Sequence, residues 1–175
     1  AQIVRATVPL GWIWSPILDD LIWVVHLVES GDLDDISYYK TVATFILDLQ
    51  AGYTGEDGKQ FDNLSLTGAS LGGGIAGIAG AQTGANAVAI SGPGAVLPRH
   101  TLNPPVTLGE LDKYVFTVIP DRGIIVRLGG RSRLFQEIQC TAPNSESLGG
   151  CHSMWRTVCE LAYQCGSQGR PAMCM

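Results

Sequence analysis

Length, composition and charge exclude several classes of protein. The chain has 175 residues, of which 46% are hydrophobic and 15% charged, which suits one globular domain over residues 1–175 and is too apolar for a disordered segment. The net charge of -5 argues against a nucleic-acid partner, and charged residues interrupt the apolar stretches, so we expect no transmembrane segment.

The first part of the chain combines a short strand, a Trp-rich loop and two longer segments. Residues 2–8 fit a strand that starts abruptly, as if part of the sheet lay upstream. Residues 17–28 fit a helix or an extended apolar segment, and residues 36–49 carry apolar side chains at the spacing of an amphipathic helix. Three tryptophans either belong to the core, line an acyl groove or lid, or face a partner chain; they are Trp12, Trp14 and Trp23.

Strands and helices alternate through the rest of the chain. We predict strands at 63–67, 87–91 and 114–119, and an edge strand or hairpin arm at 133–139. Helices are predicted at 71–82 and 153–163, whereas 92–105 is a proline-rich loop and 108–113 is short and unclear. This alternation predicts an α/β fold with a mainly parallel sheet flanked by helices.

A G-x-S-x-G sequence lies between a predicted strand and a helix rich in small residues. It reads Gly68-Ala69-Ser70-Leu71-Gly72, and strand–turn–helix is the context of a nucleophile elbow. Glycines on either side of the serine are expected to relieve clashes in this strained turn. A phosphate-binding loop is the alternative, but no Lys-Ser/Thr pair follows the glycines and no G-x-G-x-x-G spacing with an acidic partner opens the helix.

All five cysteines lie near the carboxyl end of the sequence, at Cys140, Cys151, Cys159, Cys165 and Cys174. No pair has CxxC spacing, so we expect neither a metal nor another cofactor. Together with a glycosylation sequon at Asn63, the cysteines predict a secreted protein or one in the lumen of the secretory pathway. The odd count leaves one thiol without a partner in the chain; Cys174 is our candidate, either free or bridged to a second chain.

Several segments resemble, in the same order, the class 3 (fungal-type triacylglycerol) lipase family of α/β-hydrolases. Residues 66–74 (LTGASLGGG) resemble its serine signature, with Ala69 where the family usually has His. Residues 90–94 (ISGPG) are similar to the strand and loop that follow, and 151–160 resemble the segment with the catalytic histidine. The resemblance implies a partial α/β-hydrolase domain whose N-terminal strands are missing from this chain. The missing part is expected either on a second chain, joined through the odd cysteine, or on an N-terminal piece removed by cleavage.

The resemblance also implies roles for individual residues. Ser70 is the nucleophile towards carboxylic ester bonds of lipids, and His152 is its base. The backbone N–H of Leu71 is one oxyanion donor. Thr7, in a segment similar to the family's Arg-Gly-Thr/Ser strand end, is the other.

The acid is the point at which this sequence departs from the family. Gly123 occupies the position that aligns with the catalytic Asp, and Asp121 lies two residues earlier. Asp121 is either the acid, if the loop shifts, or a solvent-exposed carboxylate in a turn. Two hypotheses follow: a lipase or esterase, and a pseudo-lipase that serves as a structural or binding subunit of a secreted or multi-chain assembly.

Overall fold

Four short strands form a parallel sheet in which the spatial order equals the chain order, β1-β2-β3-β4. A computed structural model of the chain describes residues 38–52, 63–123, 125–141 and 150–165. The strand predicted at 2–8, the segment at 17–28 and the three tryptophans lie outside the described residues. Those that are described belong to one compact unit that begins at Tyr38.

The strands confirm the predicted parallel sheet. Their bounds are β1 Ser65–Ala69, β2 Asn86–Ile90, β3 Val115–Pro120 and β4 Phe135–Ile138. Because β4 pairs parallel with β3, it is an edge strand and not the arm of a hairpin, which would need an antiparallel pair.

Helices flank the sheet, so the described residues have an α/β arrangement. The α-helices are α1 Tyr38–Gln50, α2 Leu71–Thr83, α3 Leu108–Tyr114 and α4 Met154–Cys165, and short 3₁₀ helices span Pro98–His100, Ile125–Arg127 and Gly150–His152. Within these ranges no helix has the length and hydrophobicity needed to cross a membrane.

Small residues let α2 pack closely on the sheet. A Cβ added to Gly80 would lie 2.7 Å from the Cβ of Ala87 in β2, and one added to Gly77 would lie 3.2 Å from Val115 in β3. Glycines in a helix cost stability relative to alanine, and here close packing on the sheet offsets that cost. Because α2 is packed closely on the sheet, the position of its first residue, Leu71, is fixed relative to the strands.

The helix α3 is the element that the sequence left unclear. It begins with a capping box, in which the Thr107 hydroxyl accepts from the backbone N–H of Glu110 (3.2 Å) and the Glu110 carboxylate accepts from the backbone N–H of Thr107 (2.7 Å). The bond from the Thr107 backbone, and then that from its hydroxyl, hold the pKa of Glu110 below its ordinary value of 4.5. Thr-x-x-Glu is the known sequence signal of such a start, so this helix was predictable.

Candidate active site

Ser70 occupies a strained turn between β1 and α2. Its φ of 53° and ψ of -126° lie where residues other than glycine are uncommon. Backbone hydrogen bonds hold it from both sides: its N–H donates to the carbonyl of Ile90 in β2 (2.9 Å), and its carbonyl accepts from Gly73 (3.0 Å) and Gly74 (3.2 Å). The turn is therefore a rigid platform for the Ser70 side chain.

The glycines around the turn differ in how strictly they are needed. A Cβ on Gly68 would lie 2.1 Å from the carbonyl oxygen of Gly72, and one on Gly73 would lie 3.0 Å from the carbonyl oxygen of Gly68. Gly72 has no atom within 4 Å of such a Cβ, so the expectation that it relieves a clash is wrong. The glycine that the steric argument requires after the serine is Gly73.

His152 reaches the serine from the far end of the sheet. Its Nε2 lies 2.7 Å from Ser70 Oγ, across 82 residues of sequence. His152 ends the 3₁₀ helix Gly150–His152, directly before α4. The structure thus brings together the two residues that the sequence proposed as nucleophile and base. Of the other histidines, His100 is exposed and His26 lies outside the described residues.

A disulfide anchors the segment that carries His152. Cys151 is bonded to Cys140, which follows β4, and the two residues are only 1% and 6% exposed. Cys159 is disulfide-bonded as well, whereas Cys174, the proposed odd thiol, lies outside the described residues. The sequence predicted an oxidising environment but gave no pairing.

Asp121 joins the end of β3 to the segment after β4. Its backbone N–H donates to the carbonyl of Ile138 (3.0 Å). Its exposed carboxylate accepts the backbone N–H of Cys140 through Oδ1 (3.0 Å). The exposed carboxylate thus holds the backbone of Cys140, and the choice between a catalytic acid and a turn carboxylate stays open to the test given below.

Gly123 is buried in the turn that follows β3. Its N–H donates to the carbonyl of Pro120 (2.8 Å), and its φ lies outside the left-handed region. A Cβ there would lie 3.1 Å from the Pro120 carbonyl oxygen and 3.4 Å from Val126. A Cβ at this position therefore requires the Pro120 carbonyl to shift by a few tenths of an ångström.

A cavity of about 320 Å³ opens beside the same turn. Charged side chains make up much of its wall: Asp121, Arg127, Arg131 and Glu137. Arg131 Nη1 donates to Glu137 Oε1 (2.8 Å), and Arg127 Nη2 donates to the carbonyl of Asp121 (3.1 Å). Such walls suit a polar group better than an acyl chain.

The first turn of α2 supplies unpaired donors next to Ser70. Leu71 is the first residue of this 13-residue helix, and its N–H has no hydrogen bond within the part of the chain that the structure describes. The first N–H groups of a helix lack intrahelical partners and lie at the positive end of its dipole. The role of Leu71 as an oxyanion donor stays a prediction, and Thr7 lies outside the described residues.

Ser91 is a neighbour of the site that sequence reasoning missed. It follows β2 with a φ of 52°, and its N–H donates to the carbonyl of Val118 (3.0 Å). Its buried hydroxyl has no hydrogen-bond partner among the described residues. Like Ser70, it is a strained serine at the carboxyl edge of the sheet, and no local sequence signal announces a left-handed serine.

Comparisons of the chain with protein-family models, curated proteins and solved structures give no match. What the structure itself establishes is a parallel four-stranded sheet flanked by helices. Because one fold hosts many functions, a functional assignment has to rest on the Ser70–His152 site.

Proposed function

We propose that this chain is a serine hydrolase of the class 3 lipase type, with an α/β-hydrolase fold, that cleaves carboxylic ester bonds of lipids. One observation carries the proposal: the 2.7 Å contact between His152 Nε2 and Ser70 Oγ, with Ser70 on a strained strand-to-helix turn. A nucleophile within hydrogen-bond distance of a base is the signature of covalent catalysis. The lipid part of the proposal comes from the sequence resemblance.

The acylation half-reaction follows from this contact. Ser70 Oγ attacks the ester carbonyl carbon as its proton passes to His152 Nε2, and the carbonyl oxygen becomes an oxyanion. That oxyanion is stabilised by the N–H of Leu71 and the positive end of α2, and by Thr7 as the proposed second donor. Collapse of the intermediate breaks the bond to the alcohol oxygen, which takes the proton from His152 and leaves an acyl group on Ser70.

Deacylation repeats these steps with water. His152 removes a proton from a water molecule as its oxygen attacks the acyl carbon, and the second tetrahedral intermediate expels Ser70 Oγ. The serine regains the proton from His152, and a carboxylic acid is released. No cofactor enters either half-reaction.

The departure from the family at the acid position favours a second candidate function, a pseudo-lipase that serves as a structural or binding subunit. Glycine stands at position 123, which aligns with the family's catalytic Asp, and the carboxylate of Asp121 accepts a hydrogen bond from the backbone N–H of Cys140. Loss of the acid from a triad costs about 10⁴-fold in kcat. The two candidate functions therefore differ in one respect: a hydrolase without the acid still hydrolyses esters slowly through Ser70, whereas a pseudo-lipase has no ester hydrolysis that depends on Ser70.

Replacing Asp121 by asparagine tests whether it is the acid. Asparagine keeps an oxygen that can accept the N–H of Cys140 and removes only the charge. We expect kcat for a short-chain p-nitrophenyl ester to stay within about threefold of the wild-type value, because the hydrogen bond to Cys140 is the role that the carboxylate has. A decrease of about 10³-fold or more would make Asp121 the catalytic acid.

Reaction of Ser70 with a fluorophosphonate is the direct test of the proposed function. Such a reagent phosphonylates an activated serine and releases fluoride, so intact-mass spectrometry should show one adduct, mapped by peptide analysis to Ser70. Ser70→Ala should remain unmodified, and His152→Ala should react far more slowly because the base is lost. Equal labelling of the wild type and Ser70→Ala would reject the hydrolase in favour of the pseudo-lipase.

We further propose secretion, with a glycan on Asn63. Asn63 is exposed just before β1, whereas Ser70 follows the other end of that five-residue strand. At about 3.3 Å per residue, the strand separates the two positions by about 16 Å, so a glycan leaves the serine accessible. A second chain that completes the sheet stays a prediction of the sequence resemblance.

A further inference from the structure

The base His152 and the turn after β3 are connected through one cysteine. Two residues of that turn hydrogen-bond to the backbone of Cys140: its N–H donates to Asp121 Oδ1 (3.0 Å), and its carbonyl accepts from Arg122 Nη2 (2.6 Å). Its side chain is bonded to Cys151, the residue immediately before His152. A continuous set of contacts therefore runs from the end of β3 to Ser70.

The segment that carries His152 is attached at two described places near the end of β4: the Cys140–Cys151 disulfide, and the hydrogen bond from the Thr141 hydroxyl to the Glu160 carboxylate in α4. It follows β4 after residues 142–149, which lie outside the described part of the chain, and β4 is the edge strand. A short 3₁₀ helix supplies only weak local restraint. Of these two attachments, the disulfide is the one at the residue next to the histidine.

We infer that the Cys140–Cys151 disulfide is a positioning device for His152, with Asp121 and Arg122 as the residues that hold its Cys140 end. This inference rests on the proposed function of Ser70 and His152. Both cysteines are buried, so the bridge is shielded from reductants in solution. An error of about 1 Å in the placement of a catalytic base can cost about 100-fold in rate.

The test is the double variant Cys140→Ala/Cys151→Ala, assayed at a temperature where circular dichroism shows it to be folded. We expect kcat to fall 10- to 100-fold with little change in KM, because the base loses its alignment while the ester still binds. Ile46→Ala is the matched control. Ile46 is buried in α1, in a separate cluster with Leu49 and Ala85, so this variant should lower Tm and leave kcat unchanged.

Two outcomes would overturn the inference without touching the proposed function. One is a double variant with wild-type kcat; the other is a loss of kcat in Ile46→Ala as large as in the double variant. A second readout needs no turnover: the ring ¹⁵N signals of His152, assigned by their loss in His152→Gln, should shift in the double variant. Unmoved ring signals would reject the positioning role of the disulfide, whether or not the wild type is active. An inactive wild type would count separately against the proposed hydrolase function.

Discussion

Gly123→Asp is expected to raise kcat for ester hydrolysis about 10⁴-fold, the factor that a triad acid contributes. Position 123 is buried in the turn after β3, has an ordinary backbone conformation and meets only a tight contact with the Pro120 carbonyl oxygen. In the sequence resemblance, position 123 aligns with the catalytic Asp, whose carboxylate orients the imidazole and stabilises its cation in the transition state. The measurement is kcat on a short-chain p-nitrophenyl ester, wild type against variant.

Gly123→Asn is the matched control for this gain. Asparagine has nearly the shape of aspartate but no charge, so it tests the fit of a side chain without restoring an acid. We expect it to stay within about tenfold of the wild type. Equal rates for the Asp and Asn variants, both folded, would show that residue 123 does not act on His152.

Ser70→Ala should lower kcat by very different factors in the wild type and in the Gly123→Asp variant. In one triad studied by substitution, removing all three members lowers kcat about 2 × 10⁶-fold, and removing the acid alone lowers it about 3 × 10⁴-fold. The ratio of these factors, roughly 70-fold, is the contribution of the serine and histidine once the acid is gone. We therefore expect Ser70→Ala to slow the wild type by only about 100-fold. In the Gly123→Asp background the same change should cost about 10⁶-fold.

His152→Ala provides the control for this non-additivity. Residues that act as a unit lose nearly the same rate whichever one is removed, so His152→Ala should match Ser70→Ala in each background. A Ser70→Ala loss that was identical with and without Asp at position 123 would show that the introduced carboxylate is not coupled to the serine.

The sequence predicted most of the described fold because its patterns are local. Alternating strands and helices with short connections specify a parallel sheet, and helical spacing located α1 and α2 to within about two residues. The helix α3 was overlooked although Thr107 and Glu110 announced it. The pairing of β4 needed tertiary information, since an edge strand and a hairpin arm have the same alternation.

The sequence predicted the individual residues of the candidate site but not the contacts that join them. A strand–turn–helix context marked Ser70, and the order of segments marked His152. By contrast, the Cys140–Cys151 bond depends on distances between residues far apart in the chain, and five cysteines permit many pairings. The left-handed backbone of Ser91 had no signal either, because serine is not a residue that such a conformation selects.

The glycines of the site differ in how much space their neighbours leave for a side chain. A Cβ at Gly68 would lie 2.1 Å from a backbone oxygen, whereas a Cβ at Gly123 would lie 3.1 Å from one and needs only a small shift of that neighbour. A substitution at Gly68 is therefore expected to lower the free energy of unfolding more than the same substitution at Gly123, because the backbone of the turn around Ser70 leaves no space for a Cβ.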